Sequence, residues 1–165
     1  MSNRKRNENA ERKTVQLLPI DDEERLGHCE SLKRKSTRFV GGAMWLMGLA
    51  YIHRDKTDAY GVYDGETLVG LMLLFERTKY GIAEFFIGDK YQRQGYGFAA
   101  MQAVIARFRA EAKFPVISVI VHGANKPALA LYEKCGFAIA SDADWDSNFK
   151  IMELRLDKQT FQREA

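Results

Sequence analysis

Three groups of residues in this chain have types and spacings that could do chemistry. The first is Gln92-Arg93-Gln94-Gly95-Tyr96-Gly97, which stands between an apolar run, Phe85-Phe86-Ile87, and a long amphipathic pattern over residues 98–112. That order reads as strand, loop and helix start. A helix start presents unpaired N–H groups and the positive end of the macrodipole, so it suits a phosphate. Gly95 and Gly97 let backbone approach a ligand and tolerate positive φ, and Arg93 adds charge beside them. The physical reading is a pyrophosphate cradle. The second group is Asn125-Lys126-Pro127-Ala128, which opens a short helical pattern carrying the phenol of Tyr132. The third is a pair of titratable groups on neighbouring predicted strands. Glu84 is an acid inside an apolar run, costly there unless used or exposed, and His122 ends the strand that follows.

The glycine turn fits two patterns. Gly95-x-Gly97-x-x-Ala100 satisfies the dinucleotide form G-x-G-x-x-G/A. That form wants its first glycine near the strand end, and here residues 88–94 intervene. It also wants an acid ending the next strand, where the chain reads Val119-Ile120-Val121-His122. The Gly-Lys-Ser/Thr of nucleotide triphosphatases is absent. The other pattern is Gln/Arg-x-x-Gly-x-Gly/Ala, and by it the stretch resembles the acetyl-CoA signature of the GNAT acetyltransferases. The run from Asn125 to Phe137 is similar to a second signature of that family, Asn-x-x-Ala-x-x-Leu-Tyr-x-x-x-Gly-Phe. Two signatures in the expected order are far more specific than either alone. The resemblance covers about residues 59–156.

The resemblance implies an acetyl-CoA-dependent N-acetyltransferase with no metal, in which a small-molecule amine attacks the thioester directly in a ternary complex. It implies that the backbone of Phe85, Phe86 and Ile87 pairs with the pantetheine arm. The loop around Gln92, Arg93, Gln94, Gly95, Tyr96, Gly97 and Phe98 would hold the pyrophosphate, with Asn125 and Ala128 on the cofactor arm. Tyr132 would point at the sulfur. The reaction wants such a group, because the leaving thiolate needs a proton. The amine must itself lose a proton before attack. Glu84 is the first candidate to take it, His122 the second, and a water chain the third. Acid-then-Phe85-Phe86-Ile87, followed by Tyr91-Gln92-x-x-Gly95-Tyr96-Gly97, is most similar in look to the polyamine (diamine, spermidine and spermine) acetyltransferases. Ala83 stands where some of them carry an acid. Competing readings are acetylation of a protein or peptide amine, a non-catalytic CoA-binding sensor, and a nicotinamide oxidoreductase.

Composition sets the frame. The chain has 165 residues, 46% of them hydrophobic, and a net charge of +3. That is enough for one domain with a sizeable core. The charge is too mild to argue for nucleic acid, and no apolar run is long enough to span a membrane. Cys29 and Cys135 have no close-spaced partner, which suits a reduced, cytoplasmic protein. His28, His53 and His122 are scattered, so no metal cluster is visible. Residues 1–13 read as a disordered basic arm, 14–157 as a single acetyltransferase domain and 158–165 as a tail. A homodimer is compatible with this organisation.

The elements that must position these residues follow from patterning. Residues 14–20 read as a first strand. Asp21 and Asp22 cap a helix running to about Lys35, and Phe39 to Ile52 is a second, mostly apolar helical segment. Residues 59–63 and 67–76 are strands joined by a tight turn at Asp64-Gly65. Tyr80-Gly81 turns the chain into a strand over 82–87. After the loop come a helix over 98–112, a buried strand over 116–121 and a short helix ending at Cys135-Gly136. A hairpin of 137–140 with 150–156, joined by a long turn, closes the chain. The fold class is α/β (α+β): a GNAT-like mixed, mostly antiparallel sheet with helices on both faces and two splayed parallel central strands.

Overall fold

The computed structural model describes residues 12–156. The basic arm and the C-terminal tail expected from the sequence lie almost wholly outside that range. Seven strands form one sheet in the order β1-β2-β3-β4-β5-β7-β6. They are β1 (Gln16–Pro19), β2 (Thr57–Asp64), β3 (Thr67–Glu76), β4 (Tyr80–Ile87), β5 (Val116–His122), β6 (Ala138–Ala143) and β7 (Asp146–Arg155). Every neighbouring pair is antiparallel except β4 with β5. The helices are α1 (Glu23–His28), α2 (Ala43–Ile52), α3 (Tyr96–Glu111) and α4 (Lys126–Lys134). Among the described residues no helix is long and apolar enough to cross a membrane.

Two cores hold the layers together. On one face, Met101, Val104, Ile105 and Phe108 of α3 pack with Val62, Met72, Ile117, Val119 and Met152 from the sheet. These α3 residues recur at helical spacing, which is why the segment folds as a surface helix with one buried stripe. On the other face, Leu46 of α2, with Cys29 and Leu32 from the segment after α1, covers Leu71, Leu73 and Phe86.

The parallel pair separates almost as soon as it forms. Only Tyr80, Gly81 and Ile82 pair across to Ile117, Ser118 and Val119. Immediately beyond, the β3–β4 register skips Ala83, so that Leu74 faces Ile82 and Leu73 faces Glu84. Such a bulge bends its strand and increases local twist. β5 instead stays with β7 to its end, His122 opposite Phe149. The wedge left between β4 and β5 is where the chemistry-bearing residues gather.

Four expectations need correction. Tyr80-Gly81 is not a turn but the start of β4; the chain reverses at residues 77–79. Tyr80 is fully buried and stacks on Phe108 at 4.0 Å, while the Phe75 ring lies over Gly81, 1.8 Å from where a Cβ would stand. This glycine serves packing rather than turning. The first helix ends at His28, not Lys35, because a short 3-10 turn (Cys29–Ser31) delivers Leu32 into the core with an extended backbone. The closing hairpin has long strands and a short turn at residues 144–145, the reverse of the expectation. Its strand β6 is exposed along most of its length, so its polar residues looked like loop. Finally, α3 begins at Tyr96 rather than Phe98.

Candidate active site

The cleft between the splayed strands has a volume of about 880 Å³. One wall is the free edge of β4. Phe85, Phe86 and Ile87 pair with Met72, Leu71 and Gly70 of β3, and among the described residues no strand takes their other side. Backbone groups left unpaired there fit an extended ligand that carries amides, since such a ligand completes the ladder. All three residues line the cleft.

At its mouth the chain turns from β4 into α3. Arg93 and Gly95 adopt left-handed backbone, φ 63° and 90°. Gly95 is the N-cap of α3, with no side chain capping the helix. The first amides of α3 are therefore available to an anion, with the dipole behind them. Gly97, by contrast, has no positive φ, and a Cβ added there would meet Leu131 Cδ2 at 3.4 Å. Gln92, Arg93, Gly95, Gly97 and Phe98 line the cleft. The side chains of Gln94 and Tyr96 do not: Gln94 Nε2 donates to the Lys90 carbonyl at 2.8 Å, and the Tyr96 hydroxyl donates to Asp64 Oδ2 at 2.5 Å. Both brace the loop from beneath, which leaves their backbone amides for a ligand. Lys13 Nζ lies 4.8 Å from the centre of the Tyr96 ring and covers the turn from outside.

The opposite wall comes from β5 and α4. Asn125 caps α4, its Oδ1 accepting from the Ala128 amide at 3.4 Å, and both residues line the cleft. Pro127 follows at a helix position where a missing N–H costs nothing. One turn and a half later Tyr132 is buried, its ring 5.8 Å from that of Phe137, and it too lines the cleft. Its hydroxyl has no hydrogen-bond partner among the described residues. Burial raises its pKa strongly, and the negative charges of Cys135 and Glu84 push it in the same direction. The phenol is therefore held in its protonated form.

The two candidate proton acceptors occupy different surroundings. Glu84 sits on the bulged part of β4, half-buried, and is not among the cleft-lining residues. Desolvation raises its pKa; the Trp45 indole, the Arg34 guanidinium and the Gly41 amide partly offset this. His122 does line the cleft, between Phe39 and Phe149 at centroid distances of 5.3 and 5.0 Å. Its Nδ1 accepts from the Ala124 amide at 3.0 Å, which puts the ring proton of the neutral form on Nε2. The nitrogen turned away from that bond is a donor, which is the wrong polarity for taking a proton.

A third wall begins where the resemblance places an acceptor wall, at Phe39 and Val40, but sequence reasoning missed Arg34, Lys35, Ser36 and Phe149 as parts of it. Arg34, Lys35, Ser36, Phe39 and Val40, from the connection between α1 and α2, line the cleft together with Phe149 of β7. That connection is anchored on the β4–α3 loop: the Lys35 amide donates to Asp89 Oδ2, and the Asp89 amide donates to the Lys33 carbonyl at 3.0 Å. No spacing rule marks such residues, because they come from an irregular segment and a distant strand.

Known structures share this architecture. An acetyltransferase from Bacillus subtilis in complex with CoA is 16% identical, with a TM-score of 0.65 over 87% of this chain and 99% of that one. A spermidine N-acetyltransferase from Vibrio cholerae in complex with CoA and spermine is 17% identical, with a TM-score of 0.66 over 86% and 95%. A ribosomal-protein alanine N-acetyltransferase from Escherichia coli is 16% identical, with a TM-score of 0.67 over 87% and 95%. At these identities the likeness speaks to fold alone. No curated protein sequence matches the chain. The family model described as acetyltransferase (GNAT) family matches residues 19–137, most of the chain, and the free β4 edge, the open helix start and the cleft agree with it. The chain thus belongs to the GNAT family of acetyltransferases, acyltransferases that use acetyl-CoA.

Proposed function

We propose that this protein transfers the acetyl group of acetyl-CoA directly to the amine of a small molecule, with Tyr132 as the general acid. The observation that carries this reading is the buried Tyr132 hydroxyl, without a hydrogen-bond partner among the described residues, in a cleft whose other wall is the unpaired edge of β4. Acetyl-CoA supplies the activated carbonyl and a thiol leaving group. The β4 edge at Phe85, Phe86 and Ile87 pairs with the amides of its arm. The amides at the start of α3, with Arg93, hold its pyrophosphate, and Asn125 and Ala128 support the arm from α4. As the amine nitrogen bonds to the carbonyl carbon and the carbon–sulfur bond breaks, Tyr132 gives its proton to the departing sulfur. Glu84, which lies outside the cleft lining, takes the proton that the amine must lose, through intervening water. The polarity of the His122 ring favours Glu84 for this role over His122.

A polyamine is one candidate acceptor, on the strength of the sequence resemblance. Against it, Asp89 is the one carboxylate lining the cleft among the described residues, and it is engaged by the Lys35 amide. The reading is tested by acetyl transfer from acetyl-CoA, followed by mass spectrometry of the products, over polyamines, amino acids, aminoglycosides and peptides with free N-termini. The expected outcome is acetylation of small amines with kcat/KM well above that for any peptide. Transfer to peptides alone would move the acceptor to the protein class. Binding of CoA without transfer to any amine would leave a sensor domain.

A further inference from the structure

The wall of the cleft formed by the α1–α2 connection carries a cation that has no ion-pair partner among the described residues. Arg34 lines the cleft, with its guanidinium 4.7 Å from the centre of the Phe86 ring. The group makes one hydrogen bond, from Nη2 to the Ser36 carbonyl at 2.9 Å. Its Nε is shut off from solvent and has no partner among the described residues. The acids whose charge reaches it are Asp89 and Glu84, and neither forms an ion pair with it. Asp89 is taken by the Lys35 amide and by Gln92 Nε2. Desolvation pulls the Arg34 pKa below its ordinary value, the sign of a charge held where water cannot fully solvate it. A half-buried guanidinium is costly unless paired. Its planar fork matches a carboxylate, and stacking on an aromatic ring fixes the fork in place. Lys35 adds a second cation on the same rim. A polycation entering here would meet like charge.

Resting on the acetyltransferase reading above, we infer that the acceptor is a zwitterionic amine of the amino-acid class, whose carboxylate is held by Arg34 while its amine is acetylated. Phe39 and Phe149, on either side of His122, then form the apolar wall against which its side chain lies. Arg34 is an acceptor-binding residue and not part of the cofactor cradle.

The test compares wild type, Arg34→Gln and Arg34→Lys in steady-state kinetics. The acceptors are free amino acids, the corresponding amino-acid amides and spermidine, with KM determined separately for acetyl-CoA. In wild type, free acids should exceed their amides in kcat/KM by about 10–100-fold, the range for losing a charge-assisted hydrogen bond. Arg34→Gln should raise the acceptor KM by a similar factor, erase the acid-over-amide preference and leave the acetyl-CoA KM unchanged. Arg34→Lys should restore part of that preference, since it keeps the charge but not the fork. A raised acetyl-CoA KM with an unchanged acceptor KM would overturn the inference and make Arg34 a cofactor-phosphate residue. Turnover of spermidine above the amino acids, unaffected by Arg34→Gln, would also overturn it while leaving the acetyltransferase reading intact. Transfer to no amine at all, with CoA still bound, would remove both.

Discussion

At the residue scale, burial raises the pKa of two ionisable groups, and the same shift suits opposite roles, an acid and a base. Tyr132 is kept protonated, as an acid must be, and Glu84 is made easier to protonate, which for an acid residue in a folded chain has a definite consequence. A carboxyl whose folded pKa lies above its unfolded value costs stability when ionised; the cost shrinks once pH falls through the folded pKa and is gone below the unfolded one. Glu84→Gln should therefore be more stable than wild type at neutral pH, with the gap closing on acidification, as followed by denaturant midpoints across pH. The same variant should turn over more slowly, with its pH–rate profile shifted upward, because only higher pH then supplies neutral amine. An unchanged profile would return the role to water. His122 should behave differently. His122→Gln retains a donor toward the cleft, so its effect on the pH profile should be small.

At the element scale, two glycines that look alike in sequence do different things. Gly95 sits at φ 90°, and a Cβ there would meet only Lys13 Cγ, at an ordinary contact distance of 3.7 Å, so its role is conformational. Gly81 has ordinary strand backbone but lies under the Phe75 ring. Gly95→Val should leave a folded protein, strained by about 1–2 kcal/mol, with acetyl-CoA affinity strongly reduced in calorimetry. Gly81→Val should lower the melting temperature through overpacking worth about 1–3 kcal/mol, at a position remote from the cradle. The motif-bearing elements were legible: the β4 run, the glycine loop, the short helix opening at Asn125-Lys126-Pro127 and the tight turn at Asp64-Gly65 follow from residue type and spacing, whereas the capping bond of Asn125 appears only in the structure. What escaped has a physical reason in each case. Tyr80-Gly81 carries turn chemistry in its composition, yet the tertiary contact of Phe75 decides its conformation. The polar strand β6 lies at the sheet edge, where no buried face imposes alternation. Arg34 belongs to an irregular connection, whose position is set by Asp89 rather than by its own neighbours in sequence.

At the scale of the whole molecule, the sheet is two units joined by a short seam. Three residue pairs hold β4 to β5, and the remainder of the interface is the cleft itself. A ligand that fills the wedge adds ladder pairing on the β4 side and contacts with α4 on the other, so it should stabilise the native state far more than its contact with either half alone. Acetyl-CoA at 100 times its dissociation constant should raise stability by about 2.7 kcal/mol by mass action, read as an upward shift of the melting temperature. NAD and NADP at equal concentration should produce no comparable shift. A shift by NADP but not by acetyl-CoA would point back to the dinucleotide pattern that Gly95, Gly97 and Ala100 also satisfy.

Tyr132 is proposed to provide the proton for the leaving thiolate, a claim that Tyr132→Phe puts to the test. The substitution keeps the ring in its packing against Phe137 and removes only the hydroxyl, which has no hydrogen-bond partner among the described residues. With acetyl-CoA affinity measured by calorimetry alongside steady-state turnover, kcat and kcat/KM should fall together by about 10²–10⁴-fold while affinity stays near wild type. Full turnover in the variant would contradict the claim and reduce the tyrosine to a packing residue. A loss of affinity in proportion to the loss of rate would contradict it as well, since Tyr132 would then position the cofactor and the proton would come from elsewhere.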